Sequence, residues 1–336
     1  MKSSAEEFFS FLESGDLMCI RNFCSVVIPL IFVSSAFANH GPGTSGGGSS
    51  TASGETMKQG KSEVGFRLGY TQFEDISRSE AARIAQRTSD FDSLSDSVLA
   101  SIEAAYGITD DLQVSGQIGY YWGSGFLAAT SEGGGPAEIA SADPEGLTDL
   151  WITGKYRFLK GKPGNLALIA GIKLPTGRDD VKLSNGQPLE ASSQPGSGSV
   201  DYQIGLGYSR FLTSQITVDA STIYTFRMKH DGFEVGDRFD FGMAVAYRIT
   251  ESIKAYPNYS VFGEFTGVWL GKDHSEDEGT NENSGGTTLY LSPGLRVRIN
   301  ESWAVTGALA FPVMQDTNGE QINTTFKATL AMTFSL

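Results

Sequence analysis

The sequence predicts an all-β fold: an antiparallel transmembrane β-barrel of about 12 strands, with long loops at one end and short turns at the other. Three observations support this prediction. Apolar and polar residues alternate, most alternating runs are 11 to 13 residues long, and the connections between runs alternate between short and long. A tilted strand needs about 9–11 residues to cross a bilayer. The combination is typical of outer-membrane barrels.

The first 38 residues predict a signal peptide that is removed on export. Arg21 supplies the basic region, residues 23–33 form a short apolar core, and the sequence AFA at 36–38 fits a small-x-small cleavage site. This apolar core is too short to span a bilayer as a helix. Because the stretch before Met18 is acidic and fits no export signal, we expect translation to start at Met18.

Cysteine content and charge exclude several functions. Cys19 and Cys24 both lie in the signal peptide, so the mature chain carries no thiol and suits an oxidising compartment. This excludes disulfides, thiolate metal sites and cysteine nucleophiles after export. The whole chain has a formal charge of −14, and losing the signal peptide's two bases and four acids leaves −12. Nucleic acid would be repelled and is not an expected partner.

Residues 39–61 predict a flexible N-terminal arm, because they are rich in glycine and serine and lack apolar anchors. The expected organisation is therefore a signal peptide at 1–38, the arm at 39–61 and an outer-membrane barrel at 62–336. The composition of the arm leaves open whether it plugs the lumen of the barrel.

Twelve alternating runs follow the arm, at 63–73, 98–108, 112–122, 147–158, 166–174, 200–210, 216–226, 237–249, 253–269, 287–299, 303–313 and 325–336. The short connections are at 109–111, 159–165, 211–215, 250–252 and 300–302. The long ones are at 74–97, 123–146, 175–199, 227–236, 270–286 and 314–324. An even number of strands places both termini on the same side of the membrane, where short turns are expected.

The last run, FKATLAMTFSL, shows two unlike faces, with Phe326, Leu330 and Phe334 on the apolar one. Aromatic residues on this parity gather near both ends of the runs, as two interfacial girdles require. The set near short turns is Tyr106, Tyr156, Phe158, Tyr208, Tyr247, Trp303 and Phe334, and the set near long loops is Trp122, Phe226, Phe239, Phe265, Trp269 and Phe311. An apolar face this large requires lipid, and we expect the last strand to pair with the first.

The opposite parity is expected to line a polar lumen. The charged candidates for solute binding are Arg67, Glu103, Lys155, Arg157, Lys173, Asp201, Asp219, Asp240, Arg248, Arg296, Arg298 and Lys327. The same parity also holds Glu63, Asp149, Lys254 and Glu264. Two interpretations remain open: these charges pair with each other across a filled interior, or they line a path for solutes.

Three prolines fall inside predicted strands, at Pro257, Pro293 and Pro312. Proline cannot donate a ladder hydrogen bond, so each should mark a bulge or the end of a strand. Because Pro257 and Pro293 lie in neighbouring runs, we hypothesise a loosened seam between them through which an apolar solute leaves sideways.

Catalytic and metal-binding signals are weak, and the sequence predicts no enzyme, cofactor or metal site. The segment GTSGG at 43–47 satisfies G-x-S-x-G but lies in the arm rather than at a strand-to-helix turn. The acidic loop at 272–283 does not have the spacing of a calcium loop. The least favoured alternative is an outer-membrane lipid hydrolase that uses His230 and a neighbouring serine.

Several short motifs carry a family resemblance. The loop KLPTGRDD (173–180) is followed by QPGSGSVDYQIGLGYSR (194–210), and the arm HGPGTSGGGSSTASGE (40–55) is followed by YTQFE (70–74). The chain thereby resembles the outer-membrane transporter family named after the meta pathway of phenol degradation. Its loop motif corresponds here to Pro175, Thr176, Gly177, Pro195, Gly196, Ser197 and Gly198. The resemblance implies a barrel that carries small, often aromatic or hydrophobic compounds, while these residue types by themselves shape a long loop at its mouth.

The sequence thus predicts a passive channel of the bacterial outer membrane for small solutes, including hydrophobic or aromatic compounds that pass through or out of the barrel. The expected partners are outer-membrane lipid, the outer-membrane assembly machinery through the C-terminal strand, and a small-molecule solute. The alternative is a barrel without transport activity that serves adhesion or envelope structure.

Overall fold

The computed structural model describes residues 48–277 and 279–336. The predicted signal peptide, both cysteines, His40 and the motif at 43–47 lie outside the described residues. Twelve long antiparallel strands form the barrel and are numbered in chain order: β1 Ser62–Phe73, β2 Asp96–Thr109, β3 Leu112–Ser124, β4 Leu150–Leu159, β5 Asn165–Leu174, β6 Asp201–Phe211, β7 Ile216–Phe226, β8 Arg238–Arg248, β9 Asn258–Leu270, β10 Gly286–Arg298, β11 Trp303–Thr317 and β12 Thr324–Ser335.

The barrel closes between its first and last strands. Strand β1 pairs with β12 from Glu63 opposite Ser335 onward, and on its other side it pairs with β2. All remaining strands pair with their sequence neighbours, so every barrel strand has two partners. The predicted closure is confirmed, and it leaves no unpaired edge in the hydrocarbon layer.

Most predicted strand boundaries lie within two residues of the observed ones, and the exceptions are the start of β4, at Leu150 instead of 147, the start of β9 and the end of β11. Strand β9 begins at Asn258 instead of 253, because Pro257 cannot donate into the ladder and ends a longer turn. Lys254 therefore lies exposed in that turn, and its expected inward position was wrong. Strand β11 extends to Thr317, beyond the predicted end at 313.

The two faces of the strands are the ones that the alternation predicts. Leu330 and Met243 on the outer face are 54% and 58% exposed, whereas Asp219 and Glu264 on the inner face are each 1% exposed. Exposed aromatic residues form the expected girdles: Tyr106, Tyr156, Phe158 and Tyr247 near the short turns, and Trp122, Phe226, Phe265, Trp269 and Phe311 near the long loops. Among the described residues, no helix combines the length and apolar character that crossing a bilayer requires.

The seam hypothesis for Pro257 and Pro293 is wrong. The β9–β10 ladder is continuous and includes the pair Gly263–Pro293, while Pro257 precedes the strand. The irregular seam is the next one, β10–β11, whose ladder omits Pro293 and shifts register opposite Pro312. Both prolines lack an N–H, which explains why the pairing is interrupted there.

The long loops contain secondary structure that the sequence analysis did not predict. Helix α1, Arg78–Thr88, begins with Ser77, whose hydroxyl accepts the N–H of Glu80. It packs on a small three-stranded sheet formed by Asp90–Ser93, Phe126–Thr130 and Glu138–Ala142. The contact buries Ala81, Ile84, Ala85, Phe91 and Ala129. The end of the barrel with long loops is therefore partly covered by a folded cap.

Candidate functional site

The described part of the N-terminal arm lies inside the barrel. Most residues from 48 to 57 are buried, and their peptide groups bond to side chains from strands all around the lumen. Peptide N–H groups reach three inward side chains: Ala52 to Ser221 Oγ at 3.0 Å, Gly54 to Ser209 Oγ at 2.8 Å, and Met57 to Gln113 Oε1 at 2.9 Å. The arm thus crosses the half of the lumen that is nearer the short turns, which we call the inner half.

One carboxylate, Glu264 on β9, binds residues 49–51 at the start of the described arm. Its Oε1 accepts the N–H groups of Ser50 at 2.9 Å and Thr51 at 2.6 Å and the Thr51 hydroxyl at 2.7 Å. Its Oε2 accepts the N–H of Ser49 at 3.1 Å and the Ser49 hydroxyl at 2.9 Å. Charge-assisted hydrogen bonds of this kind are about twice as strong as neutral ones. We call Ser49, Ser50, Thr51 and Glu264 the Glu264 clamp.

Three predicted lumen bases bind the arm's carbonyl groups. Arg296 donates to Gly48 O at 3.0 Å, Arg67 donates to Ser49 O, and Lys155 lies 3.4 Å from Ser53 O. The inner half of the lumen is therefore filled, and the arm's peptide groups supply hydrogen-bond partners to Glu264 and to these three bases. The sequence left two interpretations open, charges that pair with each other or charges that line a path for solutes. The structure shows a third arrangement in this half, in which the arm lies between the charges.

Beyond the arm, the half of the lumen nearer the long loops is hollow. A cavity with about 830 Å³ of empty space, part of it open solvent, is lined by residues that include Leu99, Trp151, Lys173, Arg227 and Arg238. We call this cavity the outer chamber. A second cavity of about 1330 Å³ shares Leu99 and Arg238 with it and reaches Ser49 of the arm.

The loop that carries the family motif is fastened to the barrel wall by a buried ion cluster, which we call the Lys173 latch. Lys173 Nζ lies 2.5 Å from Asp201 and 3.3 Å from Asp149. Asp149 also accepts the N–H of Gly177 at 2.9 Å and the N–H of Ser197 at 3.0 Å. The latch therefore connects both ends of the 175–199 loop to β5, to β6 and to Asp149, the residue before β4, and the loop forms part of the wall of the outer chamber.

Two motif glycines are required by a close crossing of the backbone. A Cβ on Gly177 would lie 2.8 Å from the Cα of Gly196, and a Cβ on Gly196 would lie 2.7 Å from the Cα of Gly177. Either Cβ would also approach Asp149 to 2.9 Å. A side chain at either position would push the loop off the latch.

Replacing Lys173 with methionine is expected to release the 175–199 loop. Removing one partner of a buried ion pair costs about 3–5 kcal/mol, because the remaining charges stay buried without a partner. Cleavage within 175–199 by proteinase K, followed by mass spectrometry, should become faster in the variant. Arg178→Met, which removes an exposed ion pair in the same loop, is the matched control. Equal cleavage of Lys173→Met and wild type would contradict the latch.

Three of the predicted lumen residues lie at the rim near the short turns and hold those turns. Arg157 contacts Asp111 at 2.6 Å, Arg248 donates to Ser214 O, and Arg298 donates to the Tyr256 hydroxyl at 3.0 Å. They face inward as expected but lie outside the lining of the outer chamber.

The other predicted candidates are divided between the two halves of the lumen. Asp219 accepts the Ser209 hydroxyl beside the arm, and Glu103 is buried on the inner face of β2. Asp240 binds Arg238 through two contacts of 2.6 Å, and Lys327 lies 4.3 Å above the Tyr290 ring. Lys173 and Asp201 form the latch. A role of these residues in binding solute stays a prediction.

Two residues of the outer chamber were missed by sequence reasoning. Trp151 faces inward at the start of β4, and Arg227 follows the end of β7. Burial lowers the pKa of Arg227, and burial also raises the pKa of the nearby loop residue Asp273 to about 6. Parity within β4 identifies Trp151, but nothing in the sequence marks Arg227, because it lies outside a strand.

The hydrolase alternative finds no support in the described part of the chain. His230 Nε2 lies 3.4 Å from Asp231, and His230 makes no hydrogen bond there to a serine hydroxyl. Within the same residues, no group of three or more His, Asp or Glu side chains could hold a metal ion.

A solved outer-membrane channel has the same fold. The COG4313 outer membrane channel from Pseudomonas putida F1 is similar over 84% of this chain and 97% of its own, with 14% identity and a TM-score of 0.55. A TodX monoaromatic hydrocarbon channel mutant covers 84% of this chain and 92% of its own, with 10% identity and a TM-score of 0.47. No curated protein matches the sequence. Residues 121–334 match the family model described as "Putative MetA-pathway of phenol degradation", and the chain therefore belongs to that family.

Proposed function

We propose that the protein is a passive channel of the bacterial outer membrane for small solutes, including hydrophobic and aromatic compounds. The observation that carries this proposal is a closed barrel with a lipid-facing apolar surface and a solvent-open outer chamber in its lumen. The family description names phenol degradation, which supports aromatic solutes. The chamber has both an apolar and a polar lining, as a site for such compounds requires.

In this proposal the described conformation is closed. The solute enters at the end with the long loops, occupies the outer chamber and continues once the arm leaves the inner half of the lumen. The short turns face the periplasm, residues 1–38 direct export, and the assembly machinery recognises β12. Outer-membrane lipid surrounds the barrel.

Filling the outer chamber tests the channel. Gln117 lines both cavities, so Gln117→Trp is expected to narrow the path. In planar lipid bilayers, the wild-type chain should show discrete current steps that phenol interrupts, and these interruptions should disappear in the variant. Gln187→Trp, at an exposed position of the 175–199 loop, should behave like wild type. Phenol interruptions that persist unchanged in Gln117→Trp would contradict the proposed path.

A barrel without transport activity is the second candidate, because the arm fills the inner half of the lumen. It predicts no current from the wild-type chain and none after the arm is removed. Current from either protein would exclude it.

A further inference from the structure

The geometry points to a more specific ligand: we propose that the outer chamber binds small aromatic carboxylates, with Arg227 holding the carboxylate and Trp151 contacting the ring. This inference rests on the proposed channel function and names the class of solute that the same site accepts.

The guanidinium of Arg227 has donors that no described residue uses. It lines the outer chamber just beyond the end of β7, and it makes no hydrogen bond or ion pair through its side chain with any residue that the structure describes. A guanidinium offers five N–H donors in a fixed plane, which match the two oxygens of a carboxylate. A half-buried cation of this kind is stabilised when an anion binds beside it.

The acids around Arg227 are already engaged by other donors. Asp201 accepts the Ser199 hydroxyl at 2.8 Å and the Met228 N–H at 3.0 Å, and it also pairs with Lys173. Asp240 is held by Arg238 through both oxygens.

Two further acids surround the chamber. Asp149 belongs to the Lys173 latch and accepts two backbone N–H groups. Asp273, in the loop after β9, is buried; its Oδ1 accepts the Gly236 N–H at 2.6 Å, and its Oδ2 has no hydrogen-bond partner among the described residues. Asp273 and Arg227 interact electrostatically, with no hydrogen bond or ion pair between them in the described part of the chain. The chamber therefore presents one cation whose hydrogen-bonding capacity is left for a ligand.

Trp151 supplies a surface for an aromatic ring in the same cavity. It is the one tryptophan that lines the outer chamber, and Leu99 and Val235 add apolar area beside it. The other tryptophans, Trp122, Trp269 and Trp303, lie on the lipid-facing parity of their strands. Aromatic pairs in contact contribute about 0.5–1.5 kcal/mol beyond the burial of their area. An apolar ring with one attached carboxylate satisfies both features.

Equilibrium binding separates charge recognition from burial of the ring. The full chain, folded in detergent micelles, is titrated with sodium benzoate and with benzyl alcohol, which has a similar shape but no charge. Binding is followed by calorimetry and by the change in tryptophan fluorescence. We expect benzoate to bind at least about tenfold more tightly, as hydrogen bonds to a charged group predict.

Variants assign this difference to Arg227. Arg227→Gln is expected to weaken benzoate binding about tenfold or more, with benzyl alcohol affected less than twofold. Arg83→Gln, at an exposed position of α1, should leave both affinities unchanged. Heat-dependent gel migration shows whether each variant remains a folded barrel, and Arg227→Lys, which keeps the charge, should retain part of the benzoate preference.

Equal affinity for the two ligands, or unchanged benzoate binding in folded Arg227→Gln, would overturn the inference. These results are independent of transport, because the titration requires no membrane crossing. A protein that conducts ions without preferring benzoate contradicts only the ligand class. A protein that prefers benzoate but carries no current in any variant contradicts only the channel.

Discussion

Replacing Glu264 with alanine is expected to open the inner half of the lumen more often and so to raise the time-averaged conductance of the channel. The substitution removes all five hydrogen bonds of the Glu264 clamp. A hydrogen bond to a charged group contributes about 1.5–3 kcal/mol, and 1.4 kcal/mol changes an equilibrium about tenfold. The fraction of time spent open should therefore rise at least about tenfold in planar bilayer recordings.

Two further variants make this prediction specific. Deleting residues 48–57 removes the arm but keeps Glu264, and it should raise the conductance at least as much. Glu301→Ala removes an exposed carboxylate from the short turn between β10 and β11, and it should leave the conductance unchanged. If both the alanine variant and the deletion conduct like wild type, the arm does not close the channel.

Placing a charge on the lipid-facing surface is expected to destabilise the whole barrel. Met243 lies at the middle of β8 on the outer face and is 58% exposed. Arginine at the midplane of a barrel costs about 2–4 kcal/mol, because its charge must enter hydrocarbon. Met243→Arg should lower the free energy of unfolding by this amount when the chain is unfolded with urea from lipid vesicles.

Met228→Arg is the matched control for that substitution. Met228 is also exposed, at 40%, but it lies beyond the end of β7, where the bilayer core ends. Near the interface the same change costs about 0–1 kcal/mol. Equal losses at Met243 and Met228, or no loss at either, would mean that the β8 surface does not face lipid.

The strands and their faces could be predicted because the signal is local. In β12, alternate residues such as Phe326, Leu330 and Phe334 repeat with the period of a strand, and neighbouring hairpins repeat the same pattern. The ends of strands are harder to predict than their faces, as the start of β9 at Asn258 shows. A proline such as Pro257 stops the pairing only where the ladder needs the N–H that proline lacks. Strand alternation does not reveal helix α1, because the helix lies in the long connection between β1 and β2.

The arm and the outer chamber could not be predicted, because they depend on contacts between distant residues. Thr51 and Glu264 are 213 positions apart, and Gly48 and Arg296 are 248 positions apart. The Gly/Ser composition of the arm suggested flexibility, yet short polar residues also leave many peptide groups for lumen side chains to bind. The alternation within β9 predicts that Glu264 faces the lumen, but nothing in the neighbouring sequence indicates that the arm is its partner.

The sequence by itself determined a twelve-stranded barrel with an apolar outer surface and a charged lumen, since these properties depend on the alternation along each strand. Only the tertiary structure decided that the arm fills one half of the lumen, that the motif loop is fastened through Lys173, and that Arg227 and Trp151 share one cavity. The physical reason is closure. Residues from separate hairpins face one another only after β1 and β12 have paired and enclosed a common interior.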